Sequence, residues 1–291
     1  MAFQFKKAKR AASKLRLAVQ GASGSGKTYG SLLLAKGLGG KIAVIDTERG
    51  SASLYAGLEG MPEFDVLELD PPYEPLRYVQ AIKAAEDAGY DILIIDSMTH
   101  EWSGSGGCLE INDQLARSKY RGNTWSAWSE VTPMHRQFVD AMLNAKLHII
   151  ATMRSKTDTV QEESNGRKTV KKLGLKPEQR DGMDYEFTVV FDVACDTHFA
   201  SVSKDRTAMF KLPVQLTEEV GKKLADWLSS SGVTPDEFAE LMGEVLDAES
   251  MEQLNAVGQK IASKGLCDED RAKIKEAYLR RKHEITEGKE E

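Results

Sequence analysis

Residues Gly21 to Thr28 read GASGSGKT and fit the pattern G-x-x-x-x-G-K-[ST]. The chemistry of such a stretch is phosphate binding. Its glycines let successive backbone N–H groups turn inward on phosphate oxygens, and a helix starting beside it adds the positive end of its dipole. In that reading Gly21, Ala22, Ser23, Gly24, Ser25 and Gly26 form the cradle, and Tyr29 continues it into the helix. Lys27 neutralises the outer phosphates, and the Thr28 hydroxyl ligates Mg²⁺. The glycine order differs from the G-x-G-x-x-G of a dinucleotide turn, where a Lys-Thr pair has no task. A nucleoside-triphosphate site is expected, with ATP and Mg²⁺ as its cofactors.

Carboxylates at strand ends supply the remaining chemistry. DILIIDS puts Asp96 at the end of an apolar run, where a carboxylate can order Mg²⁺. Many ATPases of the AAA+ type carry a catalytic Glu immediately after this Asp, but here Ser97 follows, so the attacking water needs another base. A second apolar run ends in Asp46-Thr47-Glu48. Those acids are open to three readings: a surface turn, the ribose-binding acid of a dinucleotide fold, or a catalytic base. The triphosphate loop weakens the ribose reading, and the missing neighbour of Asp96 favours Glu48 as the base that orients water. Asp46 stays open between support for that site and a satisfied strand-end acid.

The elements that must position these groups follow from hydrophobic pattern. KLRLAV, KIAVID, DILIID and LHIIATM are short, continuously apolar runs, as expected of strands buried on both faces. Helical patterns fit at about 28–37, 74–88 and 131–145, and YEFTVVFDVA with HFASVSK suggests a hairpin extending the sheet. Two stretches read as long loops: 100–130, with Trp102, Trp125 and Trp128, and 155–180, rich in Lys and Arg. Beyond Pro213 the pattern is helical, with capping boxes at Thr234–Glu237 and Ser250–Gln253 and about four short helices expected. The division expected is a basic arm (1–14), an ATPase core (15–213) and an acidic helical domain (214–291).

The totals agree with a soluble protein. The 291 residues are 41% hydrophobic and 29% charged, with a net charge of −6. That charge is uneven, about −7 from Leu212 onward and near +1 before it, so a basic groove for nucleic acid is compatible with the acidic total. No apolar run approaches the roughly 20 residues of a membrane span, and no signal peptide is read. Cys108, Cys195 and Cys267 are scattered without metal-ligand spacing, which argues for a reducing cytoplasm and against a zinc site or disulfide framework.

VIDTERGSASLY, DILIIDS and IIATMRSK fall in the order and approximate spacing of RecA-like recombinase cores. With KLRLAVQGASGSGKTYGSLLLA, TMRSKT, QRDGMDYEF and SKDRTAMF, residues 3–212 resemble bacteriophage RecA-like ATPases, some of which anneal single strands. The resemblance implies an α/β RecA-like P-loop NTPase core, a mainly parallel sheet flanked by helices, followed here by a small C-terminal all-α domain. It makes Glu48 the catalytic glutamate and Tyr55 the residue that stacks on adenine. Lys204 and Arg206 match the paired cations that reach a neighbouring subunit's γ-phosphate, and Phe5–Ala8 resembles a docking element between subunits.

The two long loops stand where such proteins bind DNA: Trp125 and Trp128 to stack bases, Lys168, Lys171, Lys172 and Arg180 to follow phosphates. One departure is that the usual polar Gln switch is replaced by Thr152, Met153 and Arg154, leaving Arg154 as a direct sensor of phosphate. The function expected is ATP hydrolysis coupled to single-stranded DNA in phage recombination or annealing, in the cytoplasm of the infected host. Partners expected are other copies of the chain, in a filament or ring with shared sites, and a single-strand-binding protein, with no membrane. Alternatives are a replication ring motor or helicase loader, and an ATP-switched DNA-binding module with negligible turnover.

Overall fold

Apolar runs with no polar alternation can satisfy their backbone only in the interior of a sheet covered on both faces, and that is where they lie. The structure is a computed structural model and describes residues 13–164, 167–229, 235–262, 264, 266 and 268–287. In chain order the elements are β1 (Arg16–Gly21), α1 (Lys27–Leu38), β2 (Ile42–Asp46), β3 (Asp65–Glu68), α2 (Pro75–Asp87) and β4 (Ile92–Asp96). Next come α3 (Thr99–Ser103), α4 (Cys108–Ser118), α5 (Thr124–Asn144), β5 (His148–Ser164), β6 (Arg167–Pro177), β7 (Val189–Val193), β8 (Phe199–Asp205) and β9 (Val214–Gln215). Four helices follow: α6 (Glu218–Ser229), α7 (Pro235–Leu246), α8 (Met251–Ala262) and α9 (Asp268–Glu287).

The strands join in the order β3-β2-β4-β5-β1-β7-β8-β9, with β6 paired to β5 off this path. Pairings from β3 through β7 are parallel, while β5–β6, β7–β8 and β8–β9 are antiparallel. This is the mainly parallel α/β sheet flanked by helices, with helices after it, that the sequence suggests. Every residue of β1, β2 and β4 is buried. Chain order reverses beside β1, because the chain leaves it for β2 across two intervening strand positions later filled by β4 and β5. In open α/β sheets a crevice forms at the carboxyl ends of strands at such a point. One face packs Tyr78 and Ile82 of α2 and Phe138 and Met142 of α5 against Leu93, Ile95 and Ile149.

Several expectations need correction. Residues 100–130 are not a loop but α3, α4 and the start of α5, which begins at Thr124 rather than near 131 because Asn123 caps it, its side chain accepting from Ser126 N at 3.1 Å. Residues 155–180 are mostly the antiparallel ribbon of β5 and β6. Arg16 stands just past the basic arm expected at 1–14. It is buried in β1 and donates to the carbonyls of Leu15, Leu143, Ala145 and Leu147, tying the end of α5 to the sheet. Burial lowers its pKa to about 10.

The chain falls into two compact units, one spanning Lys14–Lys222 and one that includes Lys223 onward. The second has its own core of Leu241, Val245, Leu254, Leu266, Ile274 and Ile285 from α7, α8, α9 and the turn between the last two. Ser250 Oγ accepts from Gln253 N at 3.2 Å, and Gln253 Oε1 accepts from Glu249 N at 2.8 Å, the cap expected at α8. Thr234 of the other expected cap lies outside the described residues, as do the N-terminal residues 1–12 with Phe5–Ala8. α9 is 20 residues long, not short. Among the described residues no helix is long and apolar enough to cross a membrane.

One feature of the β1–β5 pair sets a pH dependence. His148 Nδ1 accepts from Leu15 N at 3.0 Å, and burial, reinforced by Lys14 and Arg16, lowers its pKa from 6.5 to about 4. The folded chain therefore favours neutral imidazole, and the contribution is complete above pH 6.5 and lost as pH falls towards about 4. Urea unfolding across that window is expected to show a steeper acid decline in stability for the natural chain than for His148→Gln.

Candidate functional site

The phosphate loop joins β1 to α1. Gly24 and Gly26 lie in the left-handed region, with φ of 77° and 91°, which glycine adopts without a steric penalty. Gly21 is fixed by space: a Cβ there would stand 2.6 Å from Ser25 Oγ and 2.7 Å from the carbonyl oxygen of Val193. Lys27 Nζ folds back over the loop to donate to the Ala22 carbonyl at 2.9 Å. Burial lowers the Lys27 pKa, while Asp96 and Glu48 oppose that shift. The buried Ser25 hydroxyl has no hydrogen-bond partner.

Asp96 ends β4 and is 1% exposed. Two hydroxyls hold its carboxylate: Thr28 Oγ1 donates at 2.6 Å from α1 and Thr152 Oγ1 at 2.5 Å from β5. Burial raises its pKa, the two hydroxyls counter that, and the negative charges of Glu48 and Asp46 add to it. An orphan hydroxyl, a lysine resting on a loop carbonyl and a Thr–Asp pair together fit a triphosphate with Mg²⁺. Thr28 and Asp96 are the residues that would hold the ion.

Asp46 ends β2, and its two oxygens accept from Glu48 N at 2.6 Å and Ala52 N at 2.9 Å. Of its two open readings, this is the strand-end acid satisfied by its own turn, and that turn sets where Glu48 points. Thr47 locks the same turn to β4: its hydroxyl meets Asp96 O and Ser97 O at 3.2 Å and His100 Nδ1 at 2.7 Å, and it accepts from Ser97 N at 2.8 Å. His100 stacks on Tyr73 at 4.9 Å, and Tyr73 Oη donates to Thr47 O at 3.1 Å. Burial, helped by Arg154, lowers the His100 pKa, which favours a neutral ring. Glu48 itself pairs with Arg154, Nε to Oε1 at 2.9 Å. Arg154 stands beside Gly21 in the β1–β5 register, so it lies next to the start of the phosphate loop. Glu48, Arg154, Tyr73 and His100 line one polar cleft of about 560 Å³.

The other predicted residues separate into two places. Tyr55 ends the 3₁₀ turn Ala52–Tyr55 and meets Tyr29 edge-on at 5.9 Å, so the two rings lie together beside the start of α1. Lys204 and Arg206 lie elsewhere in their contacts. Lys204 Nζ donates to Asp184 O at 2.8 Å and Tyr185 O at 2.6 Å, and Arg206 donates to Tyr185 O at 3.0 Å. Both cations rest on the 3₁₀ turn Met183–Glu186, not on this chain's phosphate loop.

A second cleft, of about 1060 Å³, gathers Trp102, Trp125, Trp128, Lys156, Lys176 and Arg180. Trp102 and Trp128 stack at 5.4 Å and 17°, and Trp125 is 86% exposed. Its cations are not all unopposed: Lys176 pairs with Asp181 at 2.7 Å and Lys156 with Glu178 at 3.7 Å. Lys168, Lys171 and Lys172 stand on β6, and their side chains lie outside the described residues. Sequence reasoning misses Thr152 as a holder of Asp96 and Thr47 as the lock between β2 and β4. Neither is marked by a motif, although Thr152 could be found by its place at the end of the apolar run LHIIATM.

No curated protein matches the chain. Among solved structures the RadB recombinase is similar, at 18% identity and a TM-score of 0.39, over 72% of this chain and 90% of that one. The model of a family described as an AAA domain matches residues 13–223, which takes in the phosphate loop, Asp96 and the whole sheet. This chain belongs to that AAA domain family.

Proposed function

We propose that the chain is a Mg²⁺-dependent ATPase that works on single-stranded DNA in phage recombination or annealing, as a homo-oligomer with shared sites. The observation that carries this reading is the gathering of Lys27, Thr28, Asp96 and Glu48 where β1, β4 and β2 end. The loop N–H groups and Lys27 bind and orient the phosphates, and the aromatic pair Tyr29–Tyr55 supports a place for the base. Mg²⁺, when bound, neutralises charge developing on the transferred phosphoryl group. Glu48, aimed by Asp46, orients the water and takes its proton. Lys204 and Arg206, away from their own loop, are consistent with service to a neighbour's site.

The tryptophan cleft supports the DNA part of the reading. Three indoles beside three cations suit the faces and phosphates of unpaired nucleotides. Because Lys156 and Lys176 already face acids, stacking rather than charge carries the greater share of binding. One observation favours the second reading, an ATP-switched module: one oxygen of the Glu48 carboxylate is engaged by Arg154.

Three measurements test these points. Lys27→Ala is expected to abolish ATP binding, and Glu48→Gln to keep binding while lowering turnover by about 10²-fold or more. Turnover absent from the natural chain as well as from Glu48→Gln, at every protein concentration and with DNA present, leaves only the switched module. Trp125→Ala is expected to weaken binding to a single-stranded oligonucleotide by about 1–3 kcal/mol, with a shallow salt dependence. Unchanged affinity, or a steep salt dependence, removes the stacking cleft as the DNA site.

A further inference from the structure

Beneath the tryptophan pair lies a cluster that neither proposed site uses. Glu101 of α3, Cys108 at the start of α4 and His135 of α5 bring one carboxylate, one thiol and one imidazole together. All three are buried, Glu101 and Cys108 at 0% exposure. Cys108 Sγ donates to Glu101 Oε1 at 3.1 Å, and His135 Nδ1 stands 3.0 and 3.2 Å from the two Glu101 oxygens. Among the described residues the hydrogen bonds to this carboxylate come from those two groups, with no Lys or Arg among them. A carboxylate in so dry a place needs a positive partner, and a thiol is a weak donor.

We propose that Glu101, Cys108 and His135 form a binding site for a thiophilic divalent cation, of which zinc is the best match. One sulfur, one imidazole nitrogen and one carboxylate oxygen are a donor set that suits Zn²⁺ and not Mg²⁺ or Ca²⁺. Bonds of about 2.0–2.3 Å at tetrahedral angles put ligand atoms about 3.3–3.6 Å apart. The 3.0–3.2 Å spacings of the thiol and the imidazole from Glu101 reach this by opening a few tenths of an ångström, and all three ligand atoms lie within 4.8 Å of one another. On binding, the Cys108 thiol loses its proton to solvent, His135 gives up the Nδ1 proton that faces Glu101 so that Nδ1 coordinates as neutral imidazole, and Glu101 coordinates as carboxylate, so two charges on the ion meet two on the ligands. A cleft of about 350 Å³ reaches His135 and offers a way in for the ion and for a water as fourth ligand.

The site would act as a clamp. Its ligands come from the three helices α3, α4 and α5, two of which carry Trp102, Trp125 and Trp128, and His135 lies edge-on to Trp102 at 5.5 Å. The ion would therefore hold α3, α4 and α5 in one arrangement whatever the cleft above them binds. The cysteine spacing that argues against zinc in the sequence overlooks the site because the other two ligands are a glutamate and a histidine.

The test is cobalt titration of the full chain after dialysis against a chelator. Cys195 and Cys267 are replaced by Ser so that no other thiol can answer, since Cys195 lies 3.5 Å from the phosphate loop at Ser23 O. One equivalent of Co²⁺ should produce a thiolate-to-cobalt charge-transfer band that Zn²⁺ abolishes, and Zn²⁺ should raise the melting temperature. His135→Gln, which keeps the thiol, should weaken binding by about tenfold or more. Cys108→Ser should lose the zinc-dependent rise in melting temperature. Absence of the band, or a zinc-induced rise as large in Cys108→Ser as in its parent, overturns the proposal. Should either variant lose its near-UV circular dichroism, the band in the parent alone decides, because no other thiol remains to produce it.

Discussion

A carboxylate buried at the end of a parallel strand is the constraint on which the rest of this chain depends. Asp96 is 1% exposed, and burial raises its pKa while two hydroxyl donors, Thr28 and Thr152, oppose that shift. Those donors belong to α1 and β5, so the same two hydrogen bonds fix the start of the helix after the phosphate loop and a neighbouring strand. Removing either would leave a buried acceptor short of a partner, at a cost of about 1–3 kcal/mol. The loop after β1, the buried acid Asp96 and the central strand are therefore one unit, not three features that happen to be near each other.

A second set of bonds transmits that order to Glu48. Asp46 accepts from Glu48 N and Ala52 N, and Thr47 binds the backbone on both sides of the Asp96–Ser97 bond. The turn after β2 thus has little freedom, and Glu48 leaves it in a fixed direction even though its own side chain reaches a cleft. What varies is the partner of its carboxylate. Arg154 holds it at 2.9 Å here, and Arg154 also adjoins Gly21. One guanidinium thus stands between the acid that would orient water and the loop that would hold phosphate.

Much of this is legible in the sequence alone. Four continuous apolar runs are strands, the YEFTVVFDVA–HFASVSK pair is an antiparallel hairpin, and the phosphate loop falls between β1 and α1. Where the sequence misleads, the causes are physical. The run Gly104–Gly107 gives a loop signal, but it only separates α3 from α4, and Trp125 and Trp128 at a three-residue spacing share a helix face. The β5–β6 ribbon is polar along much of its length, so it lacks the alternation that marks a half-buried strand. β3 escapes notice because its four residues leave Asp65, Leu67 and Glu68 exposed. The Thr47 hydroxyl carries no sequence signature, and Thr152 is marked only by its place at the end of an apolar run, since what each does depends on which strands become neighbours.

The two clefts share a wall, and that follows from where β5 and β6 meet the sheet. Arg154 N donates to Thr99 Oγ1 at 2.9 Å, and Arg154 O accepts from Glu178 N at 2.7 Å. Gln179, 5% exposed, donates to Met98 O at 3.1 Å and accepts from Arg180 N at 2.8 Å. Residues 178–180 are thereby fastened to β5 and to the turn after β4, while Glu178 faces the polar cleft and the tryptophan cleft alike. Glu178 therefore joins the aromatic cleft to the Glu48 cleft, and its backbone is tied to Arg154 by one hydrogen bond.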